Sequence, residues 1–213
     1  EAFLPIDVPA LDPATGDLHW NPMVQAQRHA LEGEGVAPAD REGLRNLGFT
    51  TVAIAPSGGI LKGTSSVVLL DEPTATERAR VDRAVAYELC SLQPNRNGYP
   101  GSQMGSIALL RQTLLDAAWY GRCAATTNLA PGLLAKAPQP SATLQALLDH
   151  RGLPLWCDST DELESLRLLQ VAAEFERTAV VIGSGMEFRR LAALIASKAP
   201  MVLPLQFPEG FDW

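Results

Sequence analysis

The sequence predicts an α/β fold in which successive βαβ units form a parallel sheet, either open or curled into a barrel. Three observations support this prediction. Short apolar runs rich in Val, Ile and Ala lack polar alternation, as expected of strands that are buried on both faces. Segments with helical spacing of apolar residues alternate with these runs. Gly or Pro turns separate the two kinds of element.

The composition describes an ordinary globular chain whose size fits one large domain. Of its 213 residues, 46% are hydrophobic and 19% are charged, and the formal net charge is −7. Because the chain contains no basic cluster, we expect no nucleic-acid partner. No apolar run approaches the roughly 18 to 20 residues that span a bilayer, so we expect a soluble protein without a membrane partner, either cytoplasmic or periplasmic.

The first part of the chain, residues 1–45, is predicted to be an irregular N-terminal segment. Its prolines leave room for no helix longer than the stretch from about Met23 to Glu32. Residues 46–213 are predicted to form the sheet-containing domain. This domain opens with a helix end at Gly48 and a buried strand over about residues 50–55.

The middle of the chain is predicted to hold one strand and two helices. The strand covers Ser65–Leu70. Thr74-x-x-Glu77 has the spacing of a capping box and predicts a helix. The apolar positions on one face of that helix are Val81, Val85 and Leu89. A second, amphipathic helix is predicted between Tyr99 and Tyr120 because its apolar residues recur at helical spacing.

The C-terminal part has the regular rhythm of βα units. A helix is predicted to begin with the capping box Ser159-x-x-Glu162, and another covers Met186–Ser197. The predicted strands here cover residues 153–157, 178–182 and 201–205. Together with the strand at about residues 50–55, we expect them to be parallel neighbours with helices outside.

Functional side chains are expected just beyond the carboxyl ends of the strands, where parallel α/β sheets bind their ligands. Asp158 directly follows a predicted strand and is the candidate catalytic residue, the alternative being a helix N-cap role. Candidates for anion or substrate binding through a turn before a helix are Ser57, Gly183, Ser184 and Gly185. Simple βα turns are the alternative for these four residues.

Several common catalytic patterns are absent. No Gly-x-Ser-x-Gly elbow occurs, and the three histidines are too few for a conventional multi-His zinc site. The three cysteines are widely spaced, without a Cys-x-x-Cys pair, and are interpreted as core thiols. They are Cys90, Cys123 and Cys157.

Four segments together resemble the amidohydrolase superfamily, specifically its imidazolonepropionase-like branch. They are GFTTVAIAP at 48–56, YPGSQMGSIALLRQT at 99–113, DELESLRLLQVAAEF at 161–175 and VLPLQFPE at 202–209. The resemblance implies that residues 46–213 are a portion of a (β/α)8 TIM-like barrel of parallel strands with outer helices. It further implies a metal-dependent hydrolase that activates water against a C–N bond of an amide or cyclic amide.

The sequence departs from this family at the metal ligands. Residues 1–22 contain no His-x-His. Where the resemblance implies two metal-ligand histidines, this chain has Asp158 and Gly183. We therefore assign no metal ligand and expect no cofactor bound by this segment, although zinc or another divalent metal is implied for the family.

Two hypotheses follow. In the first, the chain is part of an amidohydrolase-like enzyme that acts on a small-molecule substrate, with the remaining strands and ligands elsewhere. In the second, it is a non-catalytic, degenerate barrel portion used for assembly or binding. Because the predicted strands cannot close an eight-stranded ring, we expect an open sheet edge covered by a second copy of the chain or by the missing barrel half.

Overall fold

A computed structural model describes residues 2–9, 18–71, 81–129 and 139–204 of the chain. The strands in these ranges are β1 Ala2–Ile6, β2 Thr51–Pro56, β3 Leu61–Thr64, β4 Ser66–Leu69, β5 Val81–Arg83, β6 Glu88–Ser91, β7 Leu155–Asp158, β8 Ala179–Ile182 and β9 Met201–Val202. The α-helices are α1 Pro38–Asn46, α2 Gln103–Leu129, α3 Ala142–Asp149, α4 Glu162–Glu174 and α5 Leu191–Ser197. Short 3-10 helices cover Ala30–Glu32 and Glu187–Arg190.

The described strands form two mixed sheets. Sheet A has the order β1-β2-β4-β5, with β1 parallel to β2 and the other pairs antiparallel. Sheet B has the order β3-β6-β7-β8-β9, with β3 antiparallel to β6 and the remaining neighbours parallel. The α/β class is therefore confirmed, but the prediction of purely parallel strands is wrong. The described strands form two separate sheets, not one closed barrel.

The two sheets meet over a small apolar cluster. Ala53 and Ala55 of β2 pack there with Leu89 of β6. The indole of Trp156 on β7 stacks on the ring of Tyr87, with centroids 3.7 Å apart and planes 7° from parallel. Small side chains on sheet A leave room for these large rings, so the facing sheets approach closely.

The other face of sheet B is covered by helices. Cys90 and Cys157 on that face pack with Leu110 of α2, Leu147 of α3 and Leu168 of α4 in the largest buried cluster. Helices therefore lie outside this sheet, as the alternation of apolar runs predicts.

The parallel arrangement is confirmed for part of the prediction. The strands β7, β8 and β9 are parallel neighbours, as expected for residues 153–157, 178–182 and 201–205. The strand near residues 50–55 is β2, and its placement beside them is wrong, because it pairs with β1 and β4 in sheet A. Residues 205–209, including the predicted end of the last strand, lie outside the described residues.

We expected the strand at residues 50–55, which is β2, to lie beside β7. The strand that pairs with β7 is instead β6, and its Leu89 was predicted to lie in a helix. Val81 lies in β5 and Leu89 in β6, so the helical prediction over these residues is wrong. The capping box at residues 74–77 lies outside the described residues. β6 pairs with β7 over four residues. This pairing favours an extended backbone, and it outweighs the local preference for a helix that the apolar spacing indicates.

The segment at 1–45 is more regular than expected. It contains β1, which pairs with β2 in sheet A, and α1 begins at Pro38 within it. Only a short 3-10 turn at Ala30–Glu32 occurs where a helix from Met23 to Glu32 was allowed. The helix end at Gly48 is confirmed, with φ at 91°. No helix in the described part of the chain is both long and apolar enough to cross a bilayer.

Candidate functional site

The carboxyl ends of four parallel strands place a row of residues along one edge of sheet B. The strand register pairs Ser91 with Asp158, Asp158 with Ile182, and Ile182 with Val202. Residues paired in this way point to the same face of a sheet. Trp156, two residues before Asp158, packs toward sheet A, so this row lies on the inner face between the sheets.

Lys62 brings a positive charge to this row. Its ammonium forms an ion pair and hydrogen bond with Oδ2 of Asp158. The β3–β6 register shifts between Leu61 and Gly63, so Lys62 is the extra residue of a β-bulge. Bulges re-aim side chains and are common beside functional sites. The bulge explains how a lysine in a buried strand reaches a carboxylate at the strand ends.

Gly63 is required by the same bulge. Its φ is +111°, a conformation that L side chains rarely adopt, and a Cβ there would collide with the carbonyl oxygen of Arg28. Glycine at this position therefore permits both the backbone turn and the close approach of the Arg28 segment.

The ion pair is buried on one side and open on the other. The Lys62 side chain is 8% exposed, whereas that of Asp158 is 40% exposed. An ammonium has three donors, and Asp158 accepts one of them. The half-exposed carboxylate, backed by a buried cation, can therefore bind a small polar molecule from solvent.

Ser91 ties the row to a neighbouring glycine turn. Its Oγ donates a 2.9 Å hydrogen bond to the carbonyl oxygen of Gly59, and its N–H donates a 2.8 Å bond to that of Ile60. Gly58 and Gly59 both have positive φ in this turn. The turn at Gly58 and Gly59 therefore lies next to the carboxyl end of β6, at one end of the row.

Ser57, a candidate for anion binding, has its partners in sheet A. Its Oγ donates a 2.6 Å hydrogen bond to Oδ1 of Asp7, and its N–H donates a 2.8 Å bond to the carbonyl oxygen of Ile6. Ser57 thus joins the ends of β1 and β2, and none of these bonds connects it to Asp158.

The loop of Gly183, Ser184 and Gly185 lies beyond β8 and holds a carboxylate of the chain itself. Oε1 of Glu187 accepts a 2.5 Å hydrogen bond from the Ser184 N–H and a 3.2 Å bond from its Oγ. A Cβ on Gly183 would lie 2.8 Å from the same oxygen. The Ser184 N–H, which we expected to be available to a bound anion or substrate, therefore already donates to the Glu187 carboxylate.

The residues that the structure describes do not fit the metal that the resemblance implies. Zinc needs about three protein ligands in a catalytic site. No three His, Cys, Asp or Glu side chains converge to hold a metal ion within the described ranges. Asp158 is paired with the Lys62 ammonium, which repels a second cation, and Gly183 offers no side chain.

Sequence reasoning missed Lys62 and Glu187. Lys62 is a lone charge in the run Ile60-Leu61-Lys62-Gly63, a signal that a buried partner is required. Ser184-x-x-Glu187 has capping-box spacing, which predicts that the glutamate folds back on the loop. The predicted box at Ser159 and Glu162 is wrong, since Asp161 is the N-cap of α4 and accepts from the Glu164 N–H at 2.7 Å.

Comparisons with known proteins show a likeness of fold but no matching family. No protein-family model matches the sequence. No curated protein matches it either. A similar solved structure is that of an amidohydrolase from Thermotoga maritima MSB8, with a TM-score of 0.69 and 19% sequence identity over 96% of this chain. The alignment covers 55% of that protein, so this chain spans about half its length. The chain therefore has an amidohydrolase-like fold.

Proposed function

We propose that this chain is a portion of an amidohydrolase-like TIM barrel whose strand-end site binds a small polar ligand without activating water. The ion pair of Lys62 and Asp158 is the observation that carries this proposal. The ammonium lies beside the strand-end carboxylate, where a metal-dependent hydrolase would hold a cation. It supplies a positive charge but no Lewis-acidic metal.

The chemistry of the pair indicates the ligand class. The two ammonium donors that Asp158 does not accept can bind a carboxylate or amide oxygen. The exposed side of Asp158 can accept a hydrogen bond from an N–H group. A small molecule with an amide next to a carboxylate satisfies both, as N-acetylglycine does.

Binding and metal content test the proposal together. We expect N-acetylglycine to bind the dialysed protein in titration calorimetry and to lose affinity in both Lys62→Met and Asp158→Asn. Ser197→Ala on α5 is the control and should bind normally. Elemental analysis should find no stoichiometric metal. One equivalent of zinc, iron or manganese that is lost in Asp158→Ala would overturn the proposal.

The second candidate function is hydrolysis of a C–N bond in an amide or cyclic amide. The observation that favours it is the likeness to the Thermotoga maritima amidohydrolase, which is longer than this chain. In this case metal ligands come from outside the described residues, on this chain or on another. Metal-dependent release of ammonia or amine from an amide, lost on chelation, would favour this candidate.

We further propose that the edge of sheet B is covered by a βα unit, from a second copy of the chain or from the rest of the barrel. β9 is the last strand of sheet B among the described residues. Large apolar side chains are exposed on the two helices that precede β9 in the chain, namely Phe188, Leu191 and Ile195, and Leu203 directly follows β9. Light scattering should show self-association that Ile195→Lys weakens, and a monodisperse monomer would exclude the second copy.

A further inference from the structure

Two cysteines lie in direct contact on neighbouring strands. Cys90 of β6 and Cys157 of β7 occupy paired positions of the parallel register. Their sulfur atoms are 3.8 Å apart, and both residues are fully buried. The sequence led us to interpret them as core thiols, because the three cysteines are widely spaced and form no Cys-x-x-Cys pair.

The strand geometry permits a covalent link. Paired strands lie about 4.7 to 4.9 Å apart, and disulfides join Cα atoms about 4.4 to 6.8 Å apart. The strand spacing therefore lies within the Cα range of disulfides, and rotation of the two side chains would bring the sulfur atoms toward the roughly 2.05 Å of an S–S bond. The helices on this face exclude water from both thiols.

We propose that Cys90 and Cys157 form an oxidisable dithiol that a small disulfide oxidant converts into a disulfide between β6 and β7. This inference does not depend on the proposed ligand. Because both thiols are fully buried, the reaction takes place when the helices on this face open locally. One thiol then loses its proton, attacks oxidised glutathione and releases one glutathione thiolate. The other then loses its proton and displaces the second glutathione, so two electrons pass to the oxidant.

The consequence concerns the candidate site. Each cysteine directly precedes a residue of the strand-end row, Ser91 or Asp158. A disulfide between Cys90 and Cys157 would therefore hold the backbones of Ser91 and Asp158 at a constant separation. The hydrogen bond with Cys157 and burial raise the pKa of the Cys90 thiol, so we expect the oxidation to be slow.

The test uses the whole reduced chain in native buffer. The protein is incubated with oxidised glutathione, then unfolded and alkylated, and analysed by intact mass and peptide mapping. We expect a mass loss of two hydrogen atoms and a cross-linked peptide pair that contains Cys90 and Cys157. Cys123→Ser, the matched control, should form the same link.

The peptide map of the wild-type protein shows whether the Cys90–Cys157 link forms, so the test does not depend on the folding of any variant. Cys90→Ala and Cys157→Ala should each abolish the intramolecular link. The proposal is overturned if both thiols stay reduced in native protein while unfolded protein oxidises under the same conditions. A persistent glutathione adduct, or a link through Cys123, overturns it as well.

Discussion

The guanidinium of Arg177 donates a 2.9 Å hydrogen bond to the carboxylate of Glu88, and both side chains are buried. Glu88 begins β6 and Arg177 precedes β8, so the pair lies at the amino ends of the parallel strands, opposite the candidate site. Arg177 also donates to the carbonyl oxygens of His150 and Leu153. At this end of such a sheet, a polar pair serves stability.

Removing the arginine should destabilise the fold strongly. Arg177→Met leaves the Glu88 carboxylate buried without a cation. We expect the free energy of unfolding at neutral pH to fall by about 3 to 5 kcal/mol in urea titration. Arg111→Met is the matched control, since its ion pair with Glu174 is exposed, and should change stability little. Equal losses in the two variants would contradict the structural role of Arg177.

Glu88 should make stability depend on pH. Burial raises its pKa above the ordinary range, against the opposing effect of Arg177. The folded state therefore binds this proton more tightly than the unfolded chain. The resulting stabilisation is full below the unfolded pKa of about 4.3 and is lost as the pH rises through the folded pKa.

The variant Glu88→Gln isolates this effect because glutamine does not titrate. We expect the free energy of unfolding of the wild type, relative to the variant, to fall as the pH rises. Urea titrations of both proteins at a series of pH values measure the difference. If the stability of the wild type relative to the variant instead increases with pH, the effect of Arg177 exceeds that of burial and the pKa of Glu88 is lowered.

The bulge at Lys62 depends on the glycine that follows it. Gly63→Ala should lower the free energy of unfolding by at least about 1 to 3 kcal/mol, because of the positive φ and the contact with Arg28. Gly43→Ala in α1 is the control. Its Cβ meets nothing within 4 Å, and we expect a gain of roughly 0.5 to 1 kcal/mol. If Gly63→Ala leaves the stability measured by thermal unfolding unchanged, the result would argue against the bulge.

The start of α4 can be checked at its cap. Asp161→Ala removes the acceptor for the Glu164 N–H and should cost about 1 kcal/mol of stability. Asp161→Asn keeps an acceptor and should restore most of the loss. If Asp161→Ala has no effect in urea titration, the helix begins elsewhere.

Local signals predicted much of the fold correctly. The long helix α2 and the strands β7 to β9 each follow from the spacing of apolar residues within a short window. β6 does not, because Val81, Val85 and Leu89 have helical spacing in a segment that is extended. Its partner strand β7 lies far along the chain, and no local pattern reveals that pairing.

The candidate site divides in the same way. The sequence by itself determined that Asp158 lies at the carboxyl end of a strand, as its last residue in β7, and that Gly183 follows β8, since both depend on neighbouring residues. Only the tertiary structure decided that Lys62, 96 positions from Asp158, is its partner, and that Cys90 contacts Cys157. Sequence periodicity reports which face of an element is apolar. The energy of burying a charge or pairing two thiols depends on which elements meet, and chain topology sets that.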